Sequence, residues 1–180
     1  MKASVHPVYD TSKNAKYSVG TQSIGVLIVG NNPMELGQYC RSLINFREAN
    51  FTIETAFNVV ECFRHIVKFK PSIVVVDDSI GFMNMIAIAD KMRSDASNAH
   101  VPLIIIKNSS YHHATLKKTV DAFLMPDRVL DGELPYLILD TIQLRKEKSN
   151  GTSEVGNEGG LDKKLSKLLM SLFSSHKAST

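Results

Sequence analysis

The chain lacks several features that identify common functional classes. Its 180 residues contain no tryptophan and only two cysteines, Cys40 and Cys62, each on the apolar stripe of a predicted helix. Two separate cysteines of this kind are typical of a reduced, cytoplasmic protein and do not form a disulfide framework or a metal site. No Gly-rich phosphate loop, Ser/His/Asp set or Cys/His metal spacing is present. The sequence therefore gives no positive indication of an enzyme, a bound metal or a cofactor.

Long apolar runs and a strong charge of one sign are also missing. No stretch approaches the roughly 18 apolar residues that a membrane span requires. Residues 1–22 are polar without an apolar segment, so we expect a flexible arm and no signal peptide. The formal net charge of +3 is too small to indicate nucleic-acid binding. We therefore expect a cytoplasmic protein without a nucleic-acid partner or a membrane span.

The most informative stretch that is present is Ser-Ile-Val-Val-Val-Asp-Asp, at residues 72–78. Its unbroken run of β-branched apolar residues predicts a strand buried on both faces, as in the middle of a parallel sheet. The run stops at Asp77 and Asp78. In open α/β sheets, ligands bind outside the carboxyl ends of the strands, so a carboxylate at this point indicates a site. A simple loop cap explains the same two residues equally well.

The rest of the chain to residue 147 predicts a doubly wound fold. Apolar or alternating runs predict four further strands, of which the alternating one suits a sheet edge, at residues 24–29, 51–56, 101–106 and 121–125. Helical spacing lies between them, with a weak polar helix at 111–119 and a last helix at about 132–147. Asn32 before Pro33 and Asn58 before Glu61 predict the N-caps of the first two helices. Strands alternating with helices predict a five-stranded parallel sheet covered on both faces. The order 2-1-3-4-5 fits best, because it places the alternating strand and the short last strand at the two edges.

Two segments follow this predicted domain of residues 23–147. Residues 148–160 have the composition of a flexible linker. Residues 161–177 predict an extra, basic amphipathic helix, whose apolar face offers the partner-binding residues Leu165, Leu168, Leu172 and Phe173. Such a helix can dock on the domain, pair with its copy in a homodimer, enter a partner's groove or lie on a membrane surface. We favour partner or self-docking, because the segment has no Trp and one Phe.

Taken in order, the segments resemble the receiver domain of two-component response regulators, the CheY-like proteins with a flavodoxin-like fold. The resemblance covers residues 24–147 and rests on Val26 to Pro33, Lys70 to Asp77, Arg93, Val101 to Ile106 and Asp121 to Pro126. In that family the aspartate that ends the third strand accepts a phosphoryl group. The resemblance therefore puts Asp77 in that role and implies a part in bacterial signal transduction.

The rest of the family's phosphorylation apparatus is missing. Gly30 and Asn31 replace the acidic pair that holds Mg²⁺ in the family, and Lys107 replaces the hydroxyl residue after the fourth strand. Met125 replaces the family's lysine, and Ala122 its switching aromatic residue. Phosphoryl transfer needs positive charge on the transferring oxygens, and Mg²⁺ needs oxygen ligands in near-octahedral geometry. We therefore expect no useful Mg²⁺ affinity.

Lys107 suggests how the altered pocket of Asn31, Asp77, Asp78 and Lys107 is stabilised. A buried carboxylate without a partner costs several kcal/mol or takes up a proton. We therefore expect Lys107 to pair with Asp77 or Asp78. A lysine that points into solvent is an equally weighted alternative.

Loss of phosphorylation would leave surfaces as the means of signalling. In receivers the region that corresponds to residues 109–147 commonly contacts partners, and the last predicted helix has apolar residues all round, including Tyr136 and Leu139. The first hypothesis is a pseudo-receiver that acts through protein–protein interaction with a signalling partner, without phosphorylation. One rival is a phosphorylatable receiver with Asp77 as the acceptor. Another is a flavodoxin-like domain that binds a small ligand.

Overall fold

The computed structural model describes residues 23–107, 116 and 118–150. Several predicted segments lie outside the described residues: the arm at 1–22, most of the helix at 111–119, the linker beyond residue 150 and the helix at 161–177. The compact unit that contains the sheet ends at Arg145. Within the described residues, no helix is both long and apolar enough to cross a membrane.

Strands and helices alternate from residue 24 to residue 106, and a last strand and two helices follow. The strands are β1 Ile24–Val29, β2 Phe51–Ala56, β3 Ile73–Asp77, β4 Leu103–Ile106 and β5 Ala122–Leu124. The α-helices are α1 Pro33–Ile44, α2 Val59–Phe69, α3 Phe82–Ser94, α4 Pro126–Leu130 and α5 Leu134–Asn150. A single 3₁₀ turn, Asp78–Ile80, connects β3 to α3.

The five strands form one parallel sheet in the order β2-β1-β3-β4-β5. This confirms the predicted fold class and strand order, with β2 at one edge and the short β5 at the other. β3 lies in the centre, where its residues are buried on both faces. That position explains why residues 73–76 show no polar alternation.

Two apolar layers cover the sheet, one on each face. On one face, Leu27, Val29, Val74 and Val76 pack with residues of α2 and α3. On the other, Val26, Ile28, Ile73 and Val75 pack with residues of α1 and α5. Consecutive strand residues therefore enter opposite layers, which fixes the register of β1 and β3 and the position of the residue that follows each of them.

Capping residues begin the first two helices as the sequence predicts. The Asn32 side chain accepts a hydrogen bond from the Met34 amide at 3.1 Å, and Pro33 is the first residue of α1. The Asn58 side chain accepts one from the Glu61 amide at 2.9 Å. These caps set where α1 leaves the carboxyl end of β1 and where α2 leaves that of β2.

The end of the domain differs from the prediction. The predicted helix at about 132–147 is present as α5, which runs to Asn150, and an unpredicted short helix, α4, precedes it, separated from it by a turn at Gly132 with a φ of 82°. The prediction that the linker starts at residue 148 is therefore wrong for its first three residues. The helix continues because residues 146–150 include no Gly or Pro, and Gly151 is the first helix breaker.

A charged cluster ties together the opposite, amino-terminal end of β4 and β5. Arg93 donates to the carbonyls of Thr119, Ala99 and Val101, and its Nη2 lies 2.8 Å from Asp121 Oδ2. Asp121 also accepts from the Leu103 amide and from Arg145 Nε at 2.6 Å. Two residues that contribute to the receiver resemblance, Arg93 and Asp121, thus bind the scaffold together far from Asp77.

Candidate functional site at the carboxyl edge of the sheet

Asp77 lies at the carboxyl end of the central strand. Its neighbours in the sheet are β1 on one side and β4 on the other, where it pairs with Ile106. The residue is 1% exposed. A carboxylate so completely removed from water needs hydrogen-bond donors or a positive charge to remain ionised.

The first donor to Asp77 is the backbone of its own loop. Oδ1 accepts a hydrogen bond from the amide of Ser79 at 2.9 Å. Asp77 is therefore the N-cap of the 3₁₀ turn Asp78–Ile80, which matches the simpler interpretation of the Asp77-Asp78 pair as a loop cap.

The second donor is the hydroxyl of Tyr39, which comes from α1. Tyr39 Oη donates to Asp77 Oδ2 at 2.6 Å, a length expected for a hydroxyl bonded to a charged oxygen. Tyr39 is itself 1% exposed. Both oxygens of Asp77 thus have a protein donor, and the phenol ring occupies space directly beside the carboxylate.

The environment keeps the Tyr39 hydroxyl protonated. Burial raises the pKa of Tyr39 above its ordinary value, and the hydrogen bond to Asp77 and the negative charges of Asp77, Glu35 and Asp78 raise it further. At neutral pH the hydroxyl is therefore a fixed proton donor to Asp77.

Sequence reasoning missed Tyr39, although one signal was present. Tyr39 follows Leu36 by three residues and precedes Leu43 by four, so it belongs to the buried stripe of α1. A buried tyrosine usually needs a partner for its hydroxyl. The stripe predicts burial, but the partner lies 38 residues away in the sequence and only the fold identifies it.

Asn31 closes the same site from the end of β1. Its side-chain Nδ2 donates to the carbonyl of Ser79 at 2.6 Å, and its backbone amide donates to Ser79 Oγ at 3.2 Å. These two bonds tie the loop after β1 to the turn after β3. The Asn31 side chain thus helps to hold the two loops together.

Gly30 leaves little space at the position of an acidic residue in receivers. A Cβ built on Gly30 would lie 3.0 Å from Leu36 Cδ2 and 3.1 Å from Asp77 Cβ. Contacts this short require the neighbours to move. A side chain of any kind at position 30, and an aspartate in particular, would therefore compete with the packing around Asp77.

The residues present do not fit the Mg²⁺ ion that receivers hold. Each Asp77 oxygen accepts a hydrogen bond, Gly30 has no oxygen-bearing side chain and little space for a Cβ, and Asn31 turns its amide nitrogen to Ser79. Within the part of the chain that the structure describes, no three His, Cys, Asp or Glu residues are placed to hold a metal ion.

Lys107 and Asp78, the other predicted members of the pocket, lie at the same edge. Lys107 follows β4, its amide donates to the Leu124 carbonyl at 2.9 Å, and its Nζ lies 5.1 Å from the centre of the Phe123 ring. Asp78 begins the 3₁₀ turn. The hydrogen bonds to Asp77 come from Tyr39 and Ser79, so pairing of Lys107 with Asp77 or Asp78 stays a prediction.

The predicted partner-binding residues are only partly within the described chain. Tyr136 lies edge-on against Phe46, with ring centres 4.9 Å apart, and its hydroxyl donates to Glu48 at 3.3 Å. Leu139 is 8% exposed and offers little surface. Leu165, Leu168, Leu172 and Phe173 lie outside the described residues, so their part in binding stays a prediction.

Comparison with known proteins identifies the fold. No family model and no curated protein matches the sequence. Among solved structures, a CheY-like receiver domain protein from Methanospirillum hungatei is similar, with a TM-score of 0.55, 16% identity, and coverage of 71% of this chain and 99% of that one. This is the receiver fold.

Two further solved structures share the receiver fold. A chemotaxis response regulator of Vibrio cholerae has a TM-score of 0.53 and 14% identity, covering 69% of this chain and 99% of its own. The receiver domain of a DNA-binding response regulator from Colwellia psychrerythraea has a TM-score of 0.53 and 14% identity, covering 66% and 99%. Identities this low establish the fold alone. In that fold, Gly30, Asn31, Asp77 and Lys107 all lie at the carboxyl edge of the sheet.

The tight packing at Gly30 can be tested by adding a single methyl group. We expect Gly30→Ala to lower the free energy of unfolding by about 1–3 kcal/mol, because its Cβ must displace Leu36 or Asp77. The matched control is Gly37→Ala, inside α1, where a Cβ meets nothing within 4 Å. Gly37→Ala should raise the free energy of unfolding by about 0.5–1 kcal/mol. Urea unfolding measures both, and equal effects of the two changes would contradict the packing argument.

The Tyr39–Asp77 hydrogen bond can be tested by removing the hydroxyl alone. We expect Tyr39→Phe to lower the free energy of unfolding at neutral pH by about 1.5–3 kcal/mol, because a buried carboxylate loses one of its two donors. Tyr136→Phe is the control, since its longer hydroxyl bond lies nearer the surface. Tyr136→Phe should lower the free energy of unfolding by less than about 1 kcal/mol.

The wild type and Tyr39→Phe can also be compared at high pH. The folded-state pKa of Tyr39 is raised, so the unfolded chain loses the proton first as pH passes the ordinary value of about 10. The stability due to the protonated hydroxyl is fully present below that pH and is lost above it. The difference in free energy of unfolding between the wild type and Tyr39→Phe should therefore shrink above pH ~10. A difference that stays constant would exclude this role of the hydroxyl.

Proposed function

We propose that the protein is a pseudo-receiver, a non-catalytic module of two-component signalling that binds a partner protein without being phosphorylated. The observation that carries the proposal is the state of Asp77. Its carboxylate is buried, and each of its oxygens accepts a hydrogen bond from the protein itself.

Phosphorylation would have to compete with these bonds. An acceptor oxygen must face the incoming phosphorus atom, and Tyr39 and the Ser79 amide each occupy one of the lone-pair sites of an Asp77 oxygen. A hydrogen bond to a charged group contributes about 1.5–3 kcal/mol, and the buried tyrosine ring would also have to move. The transferring phosphoryl oxygens would then need a positive charge nearby. The residues at the carboxyl edge of the sheet do not fit a metal ion that could supply it.

A rival proposal has one observation in its favour. Asp77 keeps the acceptor's place at the end of the central strand of a receiver fold, with Asp78 and Lys107 at the same edge. A receiver that accepts phosphate slowly at Asp77 is therefore the second candidate function.

A module that is not switched by phosphate acts through its surfaces. The sequence predicts one segment that suits a signalling-protein partner or a homodimer, the basic amphipathic segment 161–177, with Leu165, Leu168, Leu172 and Phe173. A second predicted region is residues 109–147, in which Leu139 is buried and Tyr136 packs against Phe46. The segment 161–177 joins apolar residues with three lysines at positions 163, 164 and 167, so an apolar groove with an acidic rim is the partner surface that suits it.

The absence of phosphorylation can be tested directly. Incubation with acetyl phosphate and Mg²⁺, followed by intact mass measurement without acid treatment, should show no phosphoryl adduct, because Asp77 is buried and a protein donor holds each of its oxygens. Asp77→Asn is the control for adducts at other residues. An adduct on the wild type that Asp77→Asn abolishes would establish the rival function.

The interaction role predicts that binding depends on the last segment and not on Asp77. In crosslinking and sedimentation experiments, ending the chain after Asn150 should abolish binding to a signalling partner or to a second copy. The change Asp77→Asn should leave binding and oligomeric state as in the wild type. Unchanged association in the shortened chain, or loss of association in Asp77→Asn, would contradict this role.

A further inference from the structure

The outer side of β2 is an open edge of the sheet. β2 comes first in the strand order and pairs only with β1. The amides of Ile24 and Gly30 donate to the carbonyls of Asn50 and Ala56, at 2.8 and 3.0 Å. Since the backbone groups of successive strand residues point to opposite sides, the even-numbered residues of β2 face β1. The backbone groups that face away, without a partner among the described residues, belong to Phe51, Ile53 and Thr55.

Nothing in β2 itself protects this edge. The strand reads Phe-Thr-Ile-Glu-Thr-Ala, without lysine or proline, and its one-to-one register with β1 leaves no bulge. Proteins protect open edges with such devices or cover them with another segment. The side chains of Phe51 and Ile53 are only partly buried, on the face of the sheet that α1 covers. The edge therefore offers a further strand both backbone groups and apolar surface.

The amino-terminal part of the chain leaves the sheet beside this edge. Ser23 is the first described residue and directly precedes β1. Its Oγ lies 2.5 Å from Thr52 Oγ1 and donates to the Asn50 carbonyl at 3.5 Å. Residues 1–22 therefore join the domain next to the amino end of β2.

One stretch of these 22 residues has the pattern of a strand. Polar and apolar residues alternate strictly over six positions, which is the length of β2. A single strand of this length is not stable without a neighbour, so an open edge supplies what it lacks. The polar members are Asn14, Lys16 and Ser18, and the apolar members are Ala15, Tyr17 and Val19.

An antiparallel alignment matches the apolar residues of segment 14–19 to those of β2. With Tyr17 opposite Ile53, Val19 lies opposite Phe51. Each of these pairs joins residues whose backbone groups face each other, so they exchange hydrogen bonds across the edge. Aromatic and β-branched side chains that lie directly opposite stabilise paired strands. Tyr17 and Val19 would thus extend the apolar layer on the α1 face.

The same alignment matches the polar residues on the other face. Lys16 falls opposite Glu54, and Ser18 opposite Thr52. Glu54 is 46% exposed, with His65 Nδ1 3.5 Å from one of its oxygens, so its carboxylate remains open to a lysine. A shift of two residues in either direction would separate Lys16 from Glu54. Charge therefore selects one register.

The connection from segment 14–19 to β1 is long enough. The segment must cross β2 to reach β1, which is two strand spacings, or about 10 Å. The five residue steps from Val19 to Ile24 span up to about 17 Å when extended. Gly20 begins this connection and permits a turn.

We propose that residues 14–19 pair with the open edge of β2 as a sixth, antiparallel strand, with Tyr17 opposite Ile53 and Lys16 opposite Glu54. The strand closes the edge at which the sheets of two copies could otherwise join. It is present whether or not Asp77 accepts phosphate.

Hydrogen exchange by NMR on the full chain tests the pairing. In the wild type, the amides of Phe51, Ile53 and Thr55 should exchange at least about tenfold more slowly than in Tyr17→Pro, which removes a donor that faces β2. Ser12→Pro, outside the segment, is the matched control and should leave exchange as in the wild type. The amides of Thr52 and Glu54, which face β1, should be unchanged in all three proteins.

A charge exchange tests the register. Lys16→Glu and Glu54→Lys should each reduce the slowing at Ile53 by about twofold or more, because like charges then lie opposite each other. The double variant, Lys16→Glu with Glu54→Lys, should restore it. In the wild type, the α-protons of Lys16 and Glu54 should give a nuclear Overhauser effect, as a pair without mutual hydrogen bonds does in antiparallel strands.

Several results would overturn the proposal. These are equal exchange at Ile53 in the wild type and Tyr17→Pro, equal effects of Tyr17→Pro and Ser12→Pro, or no recovery in the double charge variant. Slowing at Ile53 that disappears on dilution would make a second copy the occupant and reject segment 14–19. Slowing that persists in Tyr17→Pro at all concentrations would reject it in favour of another part of the chain.

Discussion

The hydrogen bond from Tyr39 to Asp77 is the interaction on which the site depends. It joins α1 to the end of the central strand, and together with the Ser79 amide it satisfies a carboxylate that is removed from water. A buried charge is tolerated when donors surround it. In this protein a tyrosine hydroxyl and a backbone amide supply those donors to Asp77.

The space around Asp77 follows from the same arrangement. Gly30 lets Leu36 and Asp77 approach the end of β1 closely, and Asn31 ties that end to Ser79. Side-chain packing and loop hydrogen bonds thus meet at one point beside Asp77. Small changes in this region therefore act on packing first.

Much of the fold could be predicted from the sequence, because it depends on local patterns. Unbroken apolar runs identified the central strands, the alternating β2 marked an edge, and Asn32 and Asn58 marked helix starts. The Tyr39–Asp77 contact could not be predicted, since periodicity shows that a side chain is buried and not what its hydroxyl meets. The short helix α4 was missed because its five residues are too few to show a helical period.

The most direct test of the account is a crystal structure of the full chain grown with Mg²⁺ and beryllium fluoride, which mimics a phosphoryl group. The account predicts that Tyr39 Oη remains at hydrogen-bond distance from Asp77 and that neither the ion nor the fluoride complex occupies the site. A Mg²⁺ ion with an octahedral shell that includes Asp77, beside a displaced Tyr39, would contradict it.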